Sequence, residues 1–268
     1  MRWCRIDDPA GPRFAIVEDD VVSPVEGSPL ADYRPTGERI PLVDVELLPP
    51  IRPSTFYAVG LNYADHIAHA RSRGQPAAAQ PERPEVGYRA NSALIGPGQP
   101  VIKPADCTGR FEAEGELVAV IGRPVRHCSR DEAAAAIFGW TIGNDVSARD
   151  WQHSDRTLWR AKNSDTFKPM GPWIETAVDP LKSRTTVAVD DTQVAEFATG
   201  AMIFDPYDYI CEISRYITLS PGDVLWMGTD AVIAMEAGTT LSVQISGIGT
   251  LSNPIVHEER PAAAKEER

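Results

Sequence analysis

Apolar residues along this chain fall mainly in short alternating or uninterrupted runs of strand length, and few stretches carry the spacing of an amphipathic helix. Near the N-terminus, WCRI, FAIVEDDVVSPV and the apolar part of PLVDVELLPP read as short strands joined by turns, a small antiparallel unit. The stiff PPIRPS stretch, with Pro49, Pro50 and Pro53, separates a β-rich N-terminal domain at 1–50 from a larger body at 54–257. In the body, TFYAVGLNY reads as a buried strand that delivers the chain to a short helix in ADHIAHARSRG. GQPAAAQPERPEVG has no apolar period and reads as a mobile loop. FEAEGELVAVIGR reads as one strand with a polar half and an apolar half. DEAAAAIFGW predicts a helix capped by Ser129 or Asp131. Another is predicted through DPYDYICEISRYI, among the strands TTVAVDD, DVLWMGT and TLSVQISGIGTLSNPIV. Residues 258–268 are charged, lack an apolar face and read as a disordered tail. Strands dominate and no long βαβ alternation occurs, which predicts an α+β fold, mostly β, with an antiparallel or mixed core.

Composition adds class to this picture. A hydrophobic share of 43% supports a substantial buried core. No segment has the roughly 18 uninterrupted apolar residues that span a bilayer, and MRWCRIDDPAGPRF lacks the apolar centre of a signal peptide. A cytoplasmic location is expected. The net charge of −12 argues against nucleic acid or an anionic membrane as partner. It leaves room for a small anionic substrate, because a bound cation reverses the local charge of a pocket. Cys4, Cys107, Cys128 and Cys211 are scattered and never form a CxxC pair, so neither a disulfide framework nor a thiolate metal site is suggested.

Candidate chemistry begins with Glu112, Glu114 and Glu116, which share one face if their segment is a strand. Two readings stand: a solvated edge, or the mouth of a strand whose LVAVIG half enters the core. Asp145 in GNDVSARD reads alone as a turn or cap residue, and with the glutamates as part of an all-oxygen site for a hard cation. His66 and His69 share a helix face, either as surface residues or as a general acid–base group. HxxH spacing without a cysteine partner is weak grounds for zinc. Lys162, Arg149 and Gln152 are ordinary in isolation.

Together, YAVGLNYADH, AEGELVAVIGR, GWTIGNDVSARDWQ, KNSDTFKPMGPWI and PGDVLWMGT with GIGTLSNPIV resemble the fumarylacetoacetate hydrolase family, in the family's order over about residues 54 to 256. The resemblance implies a multilayer mixed β-sheet roll with few short helices, a homodimer, and a bound Mg²⁺ or Mn²⁺. It places the family's ExEL ligands on Glu114 and Glu116, leaving Glu112 outside, and the aspartate ligand on Asp145. Lys162 matches the lysine near substrate and metal, Gln152 a glutamine lining the site, and Thr229 the threonine of the family's GTP turn; Arg149 joins them as a substrate-binding candidate. The chain departs from the pattern in three places. His66 is kept, but His69 stands where the lid helix usually has glutamate, Asp230 stands where proline is usual, and Arg89 replaces a common lysine. Two imidazoles repel when both are charged, so their proton balance differs from that of a His–Glu pair.

The implied chemistry is that of a small 2-oxo acid whose enolate a metal stabilises. Hydrolysis of a C–C bond in an acylpyruvate or related 2,4-diketo acid is the first expectation, with His66 and His69 activating water and Lys162 supporting the oxyanion. A decarboxylase, tautomerase, isomerase or hydratase of a 2-oxo acid is the alternative. A metal-binding protein without turnover is the reading from another class. The far wall of the pocket is expected from the N-terminal unit and the loop at 72–87.

Overall fold

The computed structural model describes residues 1–72 and 80–259, with the side chains of His69, Ala70 and Ser72 outside that set. At its centre the strand Gly115–Ile121 is buried along its whole length. An uninterrupted apolar run suits a strand covered on both faces, and alternate residues here enter two different cores. Leu117, Ala119 and Ile121 pack with Tyr57, Val59, Ile142 and Leu225. Val118 and Val120 pack with Phe56, Ala58, Ile174, Val224 and Trp226. Strands Ile137–Asn144 and Val224–Trp226 flank it antiparallel, and Phe56–Val59 runs parallel to Val224–Trp226. A Cβ at Gly143 would stand 2.5 Å from the Trp226 ring, so glycine there admits the indole. Truncating the fully buried Trp226 to alanine is expected to cost about 3–5 kcal/mol.

Strands Arg2–Ile6, Arg13–Glu18 and Val21–Gly27 form an antiparallel meander with the same two-sided alternation. Cys4, Ile6, Ala15, Val17 and Val22 make a small core of their own, while Trp3 and Val25 join the second core of the body. Arg2–Ile6 pairs antiparallel with Lys168–Glu175, so the meander continues the main sheet. Among the described residues that sheet has 13 strands, beside sheets of five and three. Parallel and antiparallel pairs both occur, and the fold is mostly β with mixed sheets and few helices.

The described helices are α1 (Ala64–Ser72), α2 (Arg130–Ala136), α3 (Arg149–Gln152) and α4 (Pro206–Ser214). Ser129 with Glu132, and Asp205 with Asp208, build reciprocal capping boxes at the starts of α2 and α4. Three local expectations need correction. The helix expected through DEAAAAIFGW stops at Ala136, because the β-branched and aromatic residues that follow form the buried strand Ile137–Asn144. FEAEGELVAVIGR is two strands, Phe111–Ala113 and Gly115–Ile121, broken at Glu114. The end of the expected mobile loop forms the strand Val86–Tyr88, paired with Phe56–Val59. Residues 73–79 of that loop and 260–268 of the expected tail lie outside the described residues. No helix among the described residues is long and apolar enough to cross a membrane.

Candidate active site

Antiparallel pairing sets the start of Gly115–Ile121 beside the end of Ile137–Asn144, with Gly115 opposite Asn144 and Glu116 opposite Gly143. Two bonds fasten the junction. The Asp145 N–H donates to the Glu114 carbonyl at 2.9 Å, and the Glu114 N–H donates to Asn144 Oδ1 at 3.0 Å. This register gathers Glu114, Glu116 and Asp145 so that one oxygen from each lies within 4.8 Å of the others. All three are buried, as is Glu112, so the solvated-edge reading of the acidic run fails. The Gly228 N–H donates to Glu116 Oε2 at 2.9 Å.

Buried carboxylates need cationic or hydrogen-bonding partners, and four segments supply them. Arg149, at the start of α3, bonds Glu112 at 2.6 Å and also Glu114, and donates to Gln152 Oε1 at 3.1 Å. The Lys162 ammonium donates to Glu114 and, at 2.9 Å, to Asp145. Arg89 reaches both Asp145 oxygens, at 3.2 and 2.8 Å. Lys168, fully buried, stands 2.6 Å from Asp145 Oδ1 and donates to the carbonyls of Val146 and Phe167. Lys162 is aimed by its own loop: the buried Asp155 carboxylate accepts from the backbone N–H groups of Trp159, Arg160 and Ala161.

Burial raises Glu114, Glu116 and Asp145, and the partners decide the outcome. Against burial, Arg149 and then Lys162 bring Glu114 down to about 2. Against burial, Arg89, Lys162 and Lys168 hold Asp145 well below the usual carboxylate range. Glu116 goes the other way: burial, then Asp145 and Glu114, push it well above that range despite Lys162 and the Gly228 N–H. Burial lowers Lys168 to about 7 against the attraction of Asp145. Three buried oxygen donors in one cluster, with the charge of Glu116 only partly offset by Lys162, fit a hard divalent cation such as Mg²⁺ or Mn²⁺.

A cavity of about 660 Å³ opens beside the cluster. Glu114, Glu116, Lys162, Arg149, Gln152, Thr229 and His66 all line it, while Asp145 lies one layer behind. His66 is half-buried in the first turns of α1, and its charge acts on Glu114. The His69 side chain falls outside the described residues. Ala58, Val59, Leu61 and Leu158 give the cavity an apolar side. None of residues 1–50 lines it, contrary to expectation, because the N-terminal meander joins the sheet at the outer edge of Lys168–Glu175. The exposed His153 and the buried Lys168 and Asp155 were not among the sequence candidates. Lys168 carried one usable sign, a charge at the head of the apolar run PMGPWI, the same sign that marks Glu116 before LVAVIG.

The mixed-sheet fold is of the fumarylacetoacetate hydrolase type, and this chain belongs to that family. Residues 55–256 match the family described as fumarylacetoacetate (FAA) hydrolase C-terminal, and residues 1–50 the one described as Rv2993c-like, N-terminal. The family consists of enzymes, among them hydrolases, isomerases and tautomerases. A 5-carboxymethyl-2-hydroxymuconate delta-isomerase from Mycobacterium smegmatis has a similar structure, with a TM-score of 0.86 and 40% identity over 96% of this chain and 100% of that one. The mitochondrial oxaloacetate tautomerase Fahd2a of Rattus norvegicus is 32% identical over 81% of this chain and 71% of its own length. A maleylpyruvate hydrolase from Sphingobium sp. SYK-6, in complex with manganese(II) and pyruvate, has a TM-score of 0.79 and 25% identity over 97% of this chain and 100% of that one.

Proposed function

We propose that this protein is a divalent-metal-dependent enzyme that moves a proton at the carbon beside the carbonyl of a small anionic 2-oxo acid, as a keto–enol tautomerase or isomerase. The observation that carries this reading is the clustering of Glu114, Glu116 and Asp145 with Lys162, beside a cavity that His66 also lines. The three carboxylates would hold the cation, which when bound would supply a positive charge that stabilises an enolate. His66 would carry the proton between the enol oxygen and the carbon beside the carbonyl, since an imidazole nitrogen can both accept and donate one. Lys162 keeps a positive charge beside the carboxylates, where the oxygen of the substrate gains negative charge. Arg149 is committed to Glu112, Glu114 and Gln152, so it positions the wall. Gln152 and Thr229 orient the substrate's remaining oxygens.

Proton transfer is favoured over hydrolysis because it needs one base and no activated water. In the chain, His69 takes the place of the glutamate of the family's His-x-x-Glu pair. The relative named as an isomerase is also more similar in sequence than the Sphingobium hydrolase. The Sphingobium hydrolase with its pyruvate supports the second reading, cleavage of an acylpyruvate.

A spectrophotometric assay separates the two. Oxaloacetate enol, acetylpyruvate and fumarylpyruvate are each mixed with protein and Mg²⁺ or Mn²⁺, with and without EDTA. Proton transfer predicts chelator-sensitive loss of the oxaloacetate enol absorbance with no pyruvate formed. Chelator-sensitive release of pyruvate and the matching acid from the acylpyruvates would favour hydrolysis, and silence in every arm would defeat both readings.

A further inference from the structure

Lys162 and Arg89 come from different parts of the chain and meet on one atom. The Lys162 ammonium donates to Asp145 Oδ2 at 2.9 Å, and Arg89 Nη2 donates to the same oxygen at 2.8 Å, with all three side chains buried. Two cations on one oxygen repel each other, so the carboxylate alone does not fix where either one stands. The backbone behind each has to be held as well. Arg89 directly follows the strand Val86–Tyr88, and Lys162 directly follows the backbone N–H groups that Asp155 gathers.

Asn163, the residue after Lys162, joins these two segments through one side chain. Its Oδ1 accepts from the backbone N–H of Ala90, the residue after Arg89, at 2.7 Å. Its Nδ2 donates to the Leu158 carbonyl at 2.8 Å. That same carbonyl accepts from the Lys162 backbone N–H at 3.1 Å. Leu158 has a φ of 58°, in the left-handed region that leucine seldom adopts, so its conformation depends on the bonds around it. Arg89, Leu158 and Lys162 all line the cavity. An N–H only donates and a carbonyl only accepts, so these two partners set which way the amide faces. A primary amide suits the position, because it accepts and donates at once and adds no charge beside two cations and a carboxylate.

We propose that Asn163 is a positioning residue that ties the Lys162 loop to the Arg89 segment and so fixes both cations against Asp145 at the cavity wall. The role of Lys162 in turnover rests on the reading under Proposed function, whereas the tie does not. Loss of one such hydrogen bond corresponds to roughly a fivefold change in a local opening equilibrium.

The test uses the full-length protein and combines hydrogen exchange at the Ala90 and Lys162 amides with turnover of oxaloacetate enol in the presence of Mn²⁺. Asn163→Ala is expected to speed exchange at both amides about fivefold and to lower kcat by a similar factor. Asn163→Asp keeps the acceptor and loses the donor, so exchange should stay near wild type at Ala90 and quicken at Lys162. In a Lys162→Met background, Asn163→Ala should lower kcat no further. Unchanged exchange at either amide in Asn163→Ala, an unchanged kcat, or an equal loss with and without Lys162 would each overturn the proposal. If Asn163→Ala does not fold, the split between the two amides in Asn163→Asp decides: its presence supports the tie and its absence overturns it. If wild-type protein turns over none of the 2-oxo acids, the functional reading fails by itself, and exchange at the two amides still decides the tie.

Discussion

Glu116 and His66 line the same cavity, but Glu116 leaves a strand buried on both faces, while His66 rides on a short helix with Ile67 as its described anchor. The carboxylates owe their positions to strand register, fastened by the bonds between Glu114, Asn144 and Asp145. Moving them requires shifting the central sheet. The imidazole rides on α1 beyond the buried root at Asn62 and Tyr63, where Ile67 is the described apolar anchor. Such an arrangement separates the residues that would hold a cation from the residue proposed to move the proton. His69, where the family's lid helix usually has glutamate, falls on the helix side of that division.

The largest effects belong to the carboxylate side. Asp145→Ala should abolish metal binding and activity, and should also lower stability by about 3–5 kcal/mol, because it strands the buried charges of Arg89, Lys162 and Lys168. Glu116→Gln should weaken Mn²⁺ binding by roughly a hundredfold or more while leaving the thermal midpoint near that of wild type, since burial already disfavours its charge. Calorimetric titration and thermal denaturation of the two variants check this contrast. On the helix side, His66→Ala should reduce turnover by roughly a hundredfold to ten-thousandfold, read in the enol assay, with Mn²⁺ affinity preserved. Ile67→Ala should loosen α1 locally, lowering kcat by about tenfold with little change in global unfolding. The smallest change expected is that of His69→Glu, a gain of a few-fold in pyruvate release from acetylpyruvate through restoration of the water-activating pair.

The same division governs what could be read in the sequence. The acidic side was legible because carboxylates at the head of LVAVIG and after IFGWTIG stand out against apolar runs, and because the family resemblance aligns them. Their partners were hidden. Taken alone Arg149 and Lys162 are ordinary charges that only the resemblance places near the site, and Lys168 was not singled out, until the fold brings Glu112, Glu114 and Asp145 to them. The break at Glu114 was equally invisible, since it follows from tertiary choice. Phe111–Ala113 pairs with Ser147–Ala148 and Ile233–Ala234 in one sheet, whereas Gly115–Ile121 pairs in another. The alanine run before Ile137 favours helix locally, and only the pairing of Ile137–Asn144 sets where that helix ends.

Mn²⁺ titration of wild type, His66→Ala and Glu116→Gln at one pH tests most directly whether binding is set by the sheet alone. The account predicts that His66→Ala binds within about threefold of wild type while Glu116→Gln loses roughly a hundredfold or more. Undiminished binding by Glu116→Gln, or a comparable loss in His66→Ala, would contradict it.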